Sequence, residues 1–257
     1  VSVIAEPVGC PGDAQDHFRT WSHAFAAAID VRKSCEVAAR ASRAITARAD
    51  YVRALAATRR VNPEDDLLSR LVAAEENGDR LTEDEIVAMC CLLLIGGNET
   101  GVNLLGNGTY TLLCHPEHLE CLRRNSALLP SAVEELLRFE SPVQMTFRYA
   151  TEDAYVGGSC IRRGDSVCLM LAAANRDPER FTNPAVLDLA RSNNRHLTFG
   201  GGIHMCLGAP LARLEGQVAF GILLERLADI RLAGEAEWRD LIAFRGLRGL
   251  PISFSKK

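Results

Sequence analysis

One glycine-rich segment that carries a single thiol constrains this chain more than any other feature. It reads Phe199-Gly200-Gly201-Gly202-Ile203-His204-Met205-Cys206-Leu207-Gly208, and it leads into a predicted helix with Pro210 in the first turn. A cysteine just before a helix N-terminus lies where unpaired N–H groups and the positive end of the helix dipole favour a thiolate. The segment therefore predicts that Cys206 is a metal ligand.

The glycines of the segment predict that the ligand is flat. Gly200, Gly202 and Gly208 permit positive φ angles and a close approach of the backbone, which side chains would otherwise prevent. His204 stands two residues before the thiol and is placed to hydrogen-bond a carboxylate at the edge of such a ligand. The competing interpretation is a buried cysteine beside a glycine-rich turn.

A second group of glycines interrupts an apolar run that we predict to be the longest helix. This helix begins at the capping box Thr82–Glu85 and ends near Cys114, before His115-Pro116. Each glycine inside a helix costs about 1 kcal/mol relative to alanine, so an offsetting gain such as room for a flat cofactor is expected. The glycines are Gly96, Gly97 and Gly101. The alternative is a notch that packs against another helix.

Two polar residues beside this notch suggest proton chemistry. Thr100 is placed to donate a hydrogen bond to the carbonyl of Gly96, a contact that bends helices and can open a groove. The neighbouring Glu99 is suited to relaying protons.

Both glycine segments resemble motifs of the cytochromes P450. The cysteine segment is similar to the haem-binding loop F-x-x-G-x-H-x-C-x-G, and the notch is similar to A/G-G-x-D/E-T-T, with Gly101 in place of the second threonine, which weakens the proton relay. The resemblance implies haem b with Cys206 as the axial ligand of the iron, and Thr100 and Glu99 as catalytic residues of proton delivery. It implies that these residues bind the cofactor: Cys206, His204, Arg148, Gly97, Phe199, Gly200 and Gly208.

The same resemblance gives roles to three arginines. Glu135 and Arg138 stand at i and i+3 and match the structural pair E-x-x-R, with Arg191 as a further partner, whereas in isolation a solvated surface pair would be the better interpretation. Arg148, in a predicted strand, would bind a haem propionate together with His204. Without the resemblance, Arg148 would be an edge-strand residue facing water.

The chain is predicted to be mainly α with a small β-sheet region, a single domain over residues 1–257. Helices are expected at 14–30, 32–60 and from 64 to about 78, so that the first part is wholly helical, and a second capping box at Ser131–Glu134 is expected to open a helix. The predicted strands are Thr146–Ala150, Ala154–Val156 and Val167–Met170. The resemblance runs over the whole of this chain and covers the C-terminal portion of a soluble, bacterial-type P450, similar to hydroxylases of macrolides and other secondary metabolites. We therefore expect a partial P450 fold that lacks its N-terminal part.

Composition narrows the class of protein. A net charge of −4 with 24% charged residues and no basic stripe argues against nucleic acid as a partner. Nine cysteines without a C-x-x-C pair favour free thiols in a reducing compartment. The apolar run from Ile86 to Ile95 is too short for a membrane span, and no signal peptide is visible. We therefore expect a cytoplasmic monomer.

Histidines offer one rival metal site. Cys114, His115, His118 and Cys121 are four soft ligands within eight residues, but Pro116 disturbs the geometry that a zinc site would need. The other histidines, at positions 17, 23 and 196, have no partner at ligand spacing and are expected at the surface or at helix caps.

The resemblance implies a haem-thiolate monooxygenase that inserts one oxygen atom from O2 into a small apolar organic substrate. Its electrons would come from a separate ferredoxin-type donor, because no flavin or iron–sulfur segment is recognised. The alternative is a non-catalytic remnant that binds haem weakly or acts only as an interaction fragment.

Overall fold

The computed structural model describes residues 2–12, 15–30, 34–76 and 79–256. Within them the chain is mostly helical, with short antiparallel strand pairs, as predicted. The helices are α1 Ser2–Val8, α2 Gln15–Ile29, α3 Cys35–Val61, α4 Leu67–Ala73, α5 Glu83–Cys114, α6 Pro116–Arg124, α7 Leu129–Phe139, α8 Leu171–Ala174 and α9 Ala209–Arg226, with 3-10 turns at Ser126–Leu128 and Gly202–His204.

The strands form two-stranded antiparallel ladders. The bounds are β1 Glu75–Glu76, β2 Asp79–Arg80, β3 Thr146–Tyr149, β4 Ala154–Val156, β5 Ser159–Ile161, β6 Ser166–Leu169, β7 Leu227–Leu232, β8 Glu237–Trp238, β9 Leu247–Gly249 and β10 Ile252–Lys256. The pairs are β1 with β2, β3 with β6, β4 with β5, β7 with β10 and β8 with β9. The three strands predicted from period-two alternation are confirmed, to within one residue at their ends.

The chain divides between Thr100 and Gly101 into two compact units. The expectation of a single domain remains a prediction. In the first unit, α2 and α3 pack through the ring of Phe18, which meets the rings of Trp21 and Tyr51 edge-on at centroid distances of 5.3 Å. A buried ion pair joins α3 to the start of α4, since Arg59 Nε donates to Asp66 Oδ2 at 2.6 Å.

The prediction that the first part is wholly helical is wrong. Helix α4 ends at Ala73 instead of continuing toward residue 78, and the following residues form the ladder in which Glu75 pairs with Arg80 and Glu76 with Asp79. Helix α4 begins at Leu67 rather than at residue 64, because Asp66 caps it by accepting a hydrogen bond from Ser69 N at 2.7 Å.

The predicted capping box of α5 is confirmed. Thr82 N donates to Glu85 Oε2 at 2.8 Å, and Glu85 N donates to Thr82 Oγ1 at 3.3 Å. The helix is long and apolar enough to cross a membrane by length and composition, with a hydropathy of 1.4 in its most apolar window. The length argument based on Ile86–Ile95 alone therefore does not exclude a span. Leu94 is buried in the core of the first unit and Leu104 in that of the second, and 33% of the most apolar window is buried.

The second predicted capping box is wrong. Helix α7 begins at Leu129, with Pro130 in its first turn, directly after the 3-10 turn Ser126–Leu128. Ser131 Oγ therefore lies inside the helix and donates to Leu128 O at 3.0 Å instead of capping an N–H group. Glu134, the other member of the predicted box, pairs with residues far along the chain.

Helices α7 and α9 form the centre of the second unit. They approach closely at Gly216, where an added Cβ would lie 3.0 Å from Val133 Cγ1. Leucine and phenylalanine side chains of both helices and of the second half of α5 surround this contact, among them Leu104, Leu136 and Phe220. This packing fixes the helix that follows the cysteine segment.

Candidate functional site: an exposed thiol on an ordered loop

The cysteine segment forms an ordered loop in the second unit. Cys206 N donates to Phe199 O at 2.9 Å, Met205 N to Gly202 O at 3.0 Å, and Gly200 N to Leu197 O at 2.8 Å. The backbone is left-handed at Gly200 (φ 71°) and Gly202 (φ 61°), which is the conformation that glycine was expected to permit. The expectation is wrong for Gly208, whose φ is −83° because it is the N-cap residue of α9. The loop ends at α9, whose first turn contains Pro210 as predicted.

The thiol of Cys206 is exposed, so the alternative of a buried cysteine is wrong. Its neighbours Ile203 and Leu207 are also exposed, at 97% and 76%. A Cβ added at Gly201 or Gly202 would meet nothing within 4 Å, so no side chain of the described residues occupies that space. The loop thus presents a sulfur atom beside apolar side chains and open backbone, which suits a flat apolar ligand.

The donor set around Cys206 fits haem iron. Among the described residues, no group of three or more histidine, cysteine or acidic side chains is placed to hold a metal ion. Structural zinc sites need four protein ligands, whereas iron in a porphyrin receives four nitrogens from the macrocycle and needs only an axial ligand from the protein. A single exposed sulfur is therefore sufficient for haem and insufficient for a structural zinc site.

Two hydrogen-bond donors of the same unit, Arg148 and His204, are available for carboxylates. Arg148 is half-buried in β3 and donates to Thr146 Oγ1 at 3.2 Å and to the carbonyl of Phe147 at 2.7 Å. His204 is exposed in the turn Gly202–His204. Within the described part of the chain, neither side chain has a carboxylate partner, so both retain the capacity to bind haem propionates.

In the first unit, Thr100 and Glu99 have the local geometry that the sequence predicted. Thr100 Oγ1 donates to Gly96 O at 2.6 Å. Glu99 is buried, and its Oε2 lies 3.7 Å from Nε2 of His23, whose side chain is 49% exposed. A carboxylate away from water thus neighbours an imidazole that reaches solvent, which is an arrangement suited to proton transfer.

The two glycines of the notch have different surroundings. A Cβ at Gly97 would lie 2.8 Å from Ile4 Cγ1, so this glycine allows α1 to pack against α5. A Cβ at Gly96 would meet nothing within 4 Å, so one face of the helix is clear there. The notch therefore combines both interpretations, and binding of the cofactor at Gly97 remains a prediction.

The pair Glu135–Arg138 is buried rather than solvated. Both side chains are fully buried, and Arg138 Nε and Nη2 donate to the two oxygens of Glu135 at 2.8 and 2.7 Å. Arg191 Nε donates to Glu135 Oε2 at 3.0 Å, which confirms Arg191 as the further partner of this pair. Arg138 also donates to the carbonyls of Asn175, Pro184 and Val186. The cluster ties α7 to the irregular segment that precedes the cysteine loop.

A second ionic cluster was missed from the sequence. Glu134 binds Arg213 and His196, whose side chain is only 2% exposed, so the expectation that His196 lies at the surface or at a helix cap is wrong. Burial alone would raise the pKa of Glu134, but hydrogen bonds from His196 and Arg213 and the positive charge of Arg213 lower it to about 2. No local spacing signals this cluster, because its members are 62 and 79 residues apart.

The rival zinc ligands have other contacts. His115 Nδ1 lies 2.8 Å from the carbonyl of Thr111, and the rings of His115 and His118 are tilted with centroids 6.0 Å apart. The helix break at His115-Pro116 is confirmed, since α5 ends at Cys114 and α6 begins at Pro116.

The exposed thiol of Cys206, the glycine loop and the helical fold are typical of a haem-thiolate protein, and residues 15–228 match the family model of cytochrome P450. The chain belongs to this family, whose members bind haem through a cysteine thiolate.

Comparison with individual proteins places the chain among bacterial members. It is 45% identical to the polyketide biosynthesis cytochrome P450 PksS of Bacillus subtilis, over 99% of this chain and 62% of that protein. It is 42% identical to the cytochrome P450 monooxygenase PikC of Streptomyces venezuelae, over 100% of this chain and 61% of that protein. The structure of P450BioI in complex with an acyl carrier protein ligated to hexadec-9Z-enoic acid superposes with a TM-score of 0.95 at 43% identity, covering 98% of this chain and 65% of that one. The chain thus spans slightly less than two thirds of the relatives it matches.

Proposed function

We propose that this chain is the cofactor-holding part of a cytoplasmic, monomeric haem-thiolate monooxygenase. The enzyme would insert one oxygen atom from O2 into a small apolar organic substrate and take its electrons from a ferredoxin-type donor. The exposed thiol of Cys206, on a loop already ordered by backbone hydrogen bonds, carries this proposal. Similarity to PikC, which is named a monooxygenase, supports the reaction class.

The residues of the second unit would bind the cofactor. When bound through a cysteine thiolate, haem supplies the activation of dioxygen. Cys206 would provide the thiolate, Phe199, Gly200 and Gly208 would shape the loop that holds it, and Arg148 and His204 would bind the propionates. Glu135 and Arg138 act structurally, by fixing the segment that leads to the loop.

The residues of the first unit would move protons. Glu99 holds a carboxylate away from water, and His23 lies between that carboxylate and solvent. A proton taken up at Nε2 of His23 can pass to Oε2 of Glu99 and from there toward the hydroxyl of Thr100. The Gly101 substitution removes a second hydroxyl from this route without removing that of Thr100.

One observation favours a second candidate, a remnant that binds haem weakly or acts as an interaction fragment. Helix α9 carries exposed apolar side chains at helical spacing, with Leu214, Val218 and Ile222 exposed by 57%, 50% and 43%. Apolar helix faces of soluble proteins are normally covered. In this candidate the chain would have lost the residues that enclose the cofactor.

Reconstitution with haem tests the proposal. The chain is mixed with haem, reduced with dithionite and exposed to CO, and we expect the absorbance band at about 450 nm that is typical of thiolate ligation. Cys206→Ser should abolish the band, whereas Cys168→Ser, which alters another exposed cysteine, should retain it. A band in Cys206→Ser equal to that of the unaltered chain would refute the ligand assignment, and failure of the unaltered chain to bind haem would favour the remnant.

A further inference from the structure

The carboxylate of Glu134 receives three hydrogen bonds from two residues. Arg213 Nε donates to Oε1 at 2.7 Å and Arg213 Nη2 to Oε2 at 3.0 Å, which is the two-pronged geometry of a strong arginine–carboxylate pair. His196 Nε2 lies 3.1 Å from Oε2. Because Thr198 N donates to Nδ1 of the same ring at 3.3 Å, Nδ1 is the acceptor and Nε2 carries the hydrogen that Glu134 accepts.

The two partners of Glu134, His196 and Arg213, both contact the ring of Phe199 in the cysteine loop. The guanidinium carbon of Arg213 lies 4.6 Å from the ring centroid of Phe199, a cation–π distance. The ring of His196 lies 5.8 Å from the same ring, tilted by 44°. Phe199 is only 9% exposed, and its carbonyl accepts the hydrogen bond from Cys206 N. Movement of Phe199 would therefore disturb the position of the thiol.

The two partners also lie on opposite sides of the loop in the sequence. His196 precedes Phe199 by three residues, and Arg213 follows Cys206 by seven, in the first turns of α9. A single carboxylate on α7 thus attaches the chain on both sides of the loop.

We propose that Glu134 is a positioning residue that orders the cysteine loop before the cofactor binds, by holding His196 and Arg213 on either side of Phe199. The inference deepens the proposed function, because the loop matters for haem only if Cys206 is the ligand. Ordering the loop in the apoprotein removes an entropic cost that haem binding would otherwise meet. Neither Glu134, His196 nor Arg213 contacts the ligand in this role.

Hydrogen exchange of the apoprotein tests the ordering directly. The amides of Gly200, Met205 and Cys206 donate inside the loop, so their exchange rates report its opening. We expect Glu134→Gln to exchange these amides about tenfold faster or more, since the substitution removes the charge and the two-pronged pair. Arg213→Lys, which keeps the charge but not the fork, should have a smaller effect.

Glu140→Gln is the matched control. Glu140 lies at the C-terminal end of the same helix and also pairs with an arginine, Arg245, which lies outside the loop. Loop exchange should remain unchanged in this variant. Equal exchange in Glu134→Gln and the unaltered chain would overturn the proposal, and so would an equal acceleration in Glu140→Gln, because that would indicate general destabilisation.

A spectroscopic measurement extends the test to the haem-bound chain. In Glu134→Gln we expect the CO complex to shift in part from about 450 nm to about 420 nm, and haem to transfer to excess apomyoglobin about tenfold faster. A partial return toward the unaltered values in Glu134→Asp, which keeps the charge, would support positioning. If the unaltered chain shows no band near 450 nm, the proposed function fails, but the exchange experiment still decides whether Glu134 orders the loop.

Discussion

Replacing Glu135 by glutamine is expected to destabilise the second unit by about 3–5 kcal/mol, the cost of leaving a buried charge without its partner. The Glu135 carboxylate is fully buried and accepts two hydrogen bonds from Arg138, at 2.7 and 2.8 Å, and one from Arg191 at 3.0 Å. It accepts two more from Asn194 Nδ2 and the backbone N–H of Asp188. Glutamine is neutral, and its amide would direct N–H groups at the N–H groups of the arginines.

The expected change is large on the scale of a folded protein. Total stabilities are about 5–15 kcal/mol, and 1 kcal/mol shifts the melting temperature of a domain of this size by about 2–4 °C. Glu135→Gln should therefore lower the melting temperature by roughly 6–20 °C. Glu120→Gln provides the control, because Glu120 pairs with Arg123 at the same i,i+3 spacing but is 55% exposed. That substitution should cost less than about 1 kcal/mol.

Urea unfolding followed by tryptophan fluorescence measures the effect in the second unit alone. The chain has two tryptophans, so in a Trp21→Phe background Trp238 is the remaining reporter, and it lies in β8. A cost below about 1 kcal/mol for Glu135→Gln would refute the reasoning. A double-mutant cycle with Arg138→Met adds a second criterion. The loss of unfolding free energy in the double variant should be at least about 2 kcal/mol smaller than the sum of the losses in the two single variants, and additive losses would contradict the ion-pair account.

Two further predictions concern the glycine notch of α5 and the stability at acidic pH of the cluster formed by Glu134, His196 and Arg213. Gly97→Ala should lower the melting temperature, because its Cβ would lie 2.8 Å from Ile4 Cγ1. A Cβ at Gly96 would meet nothing within 4 Å, so Gly96→Ala should stabilise the apoprotein by up to about 1 kcal/mol. Equal melting temperatures of the two variants would contradict the assignment of packing to Gly97. The pKa of Glu134 is about 2 in the folded chain, against 4.5 for the unperturbed group. The ionised Glu134 therefore stabilises the folded chain by at most about 3 kcal/mol; this stabilisation is fully present above pH 4.5 and is lost as the pH falls toward 2. Unfolding free energies of the unaltered chain and of Glu134→Gln should therefore converge over that range, and a constant difference would argue against the lowered pKa.

Local signals were sufficient for much of the fold. The capping box at Thr82 and the helix break at His115-Pro116 each act within a few residues, and each is present in the structure. The cysteine loop belongs to the same class, because Gly200 and Gly202 are required by positive φ angles of the loop's own backbone. Patterns of this kind can be recognised in one sequence.

The errors arose where distant partners competed with a local pattern. Ser131 and Glu134 have the same spacing as Thr82 and Glu85, but Pro130 and the preceding 3-10 turn start the helix earlier, and Arg213 binds the carboxylate from 79 residues away. The packing of Gly97 against Ile4 of another helix was likewise not visible in the local sequence. Sequence spacing along a helix does not reveal which neighbouring element will approach it.

The cluster around Glu135 also has a consequence for the order of folding events. Its carboxylate reaches Asp188, Arg191 and Asn194, which are 53 to 59 residues further along the chain. Contacts of such high sequence separation close large loops, so they form only when the loss of chain entropy on closing the loop is offset by other contacts. The segment between α8 and the cysteine loop has little regular structure, so it has few local contacts that could order it sooner. We therefore expect the thiol of Cys206 to reach its final position late in folding, after α7 has formed and captured this segment.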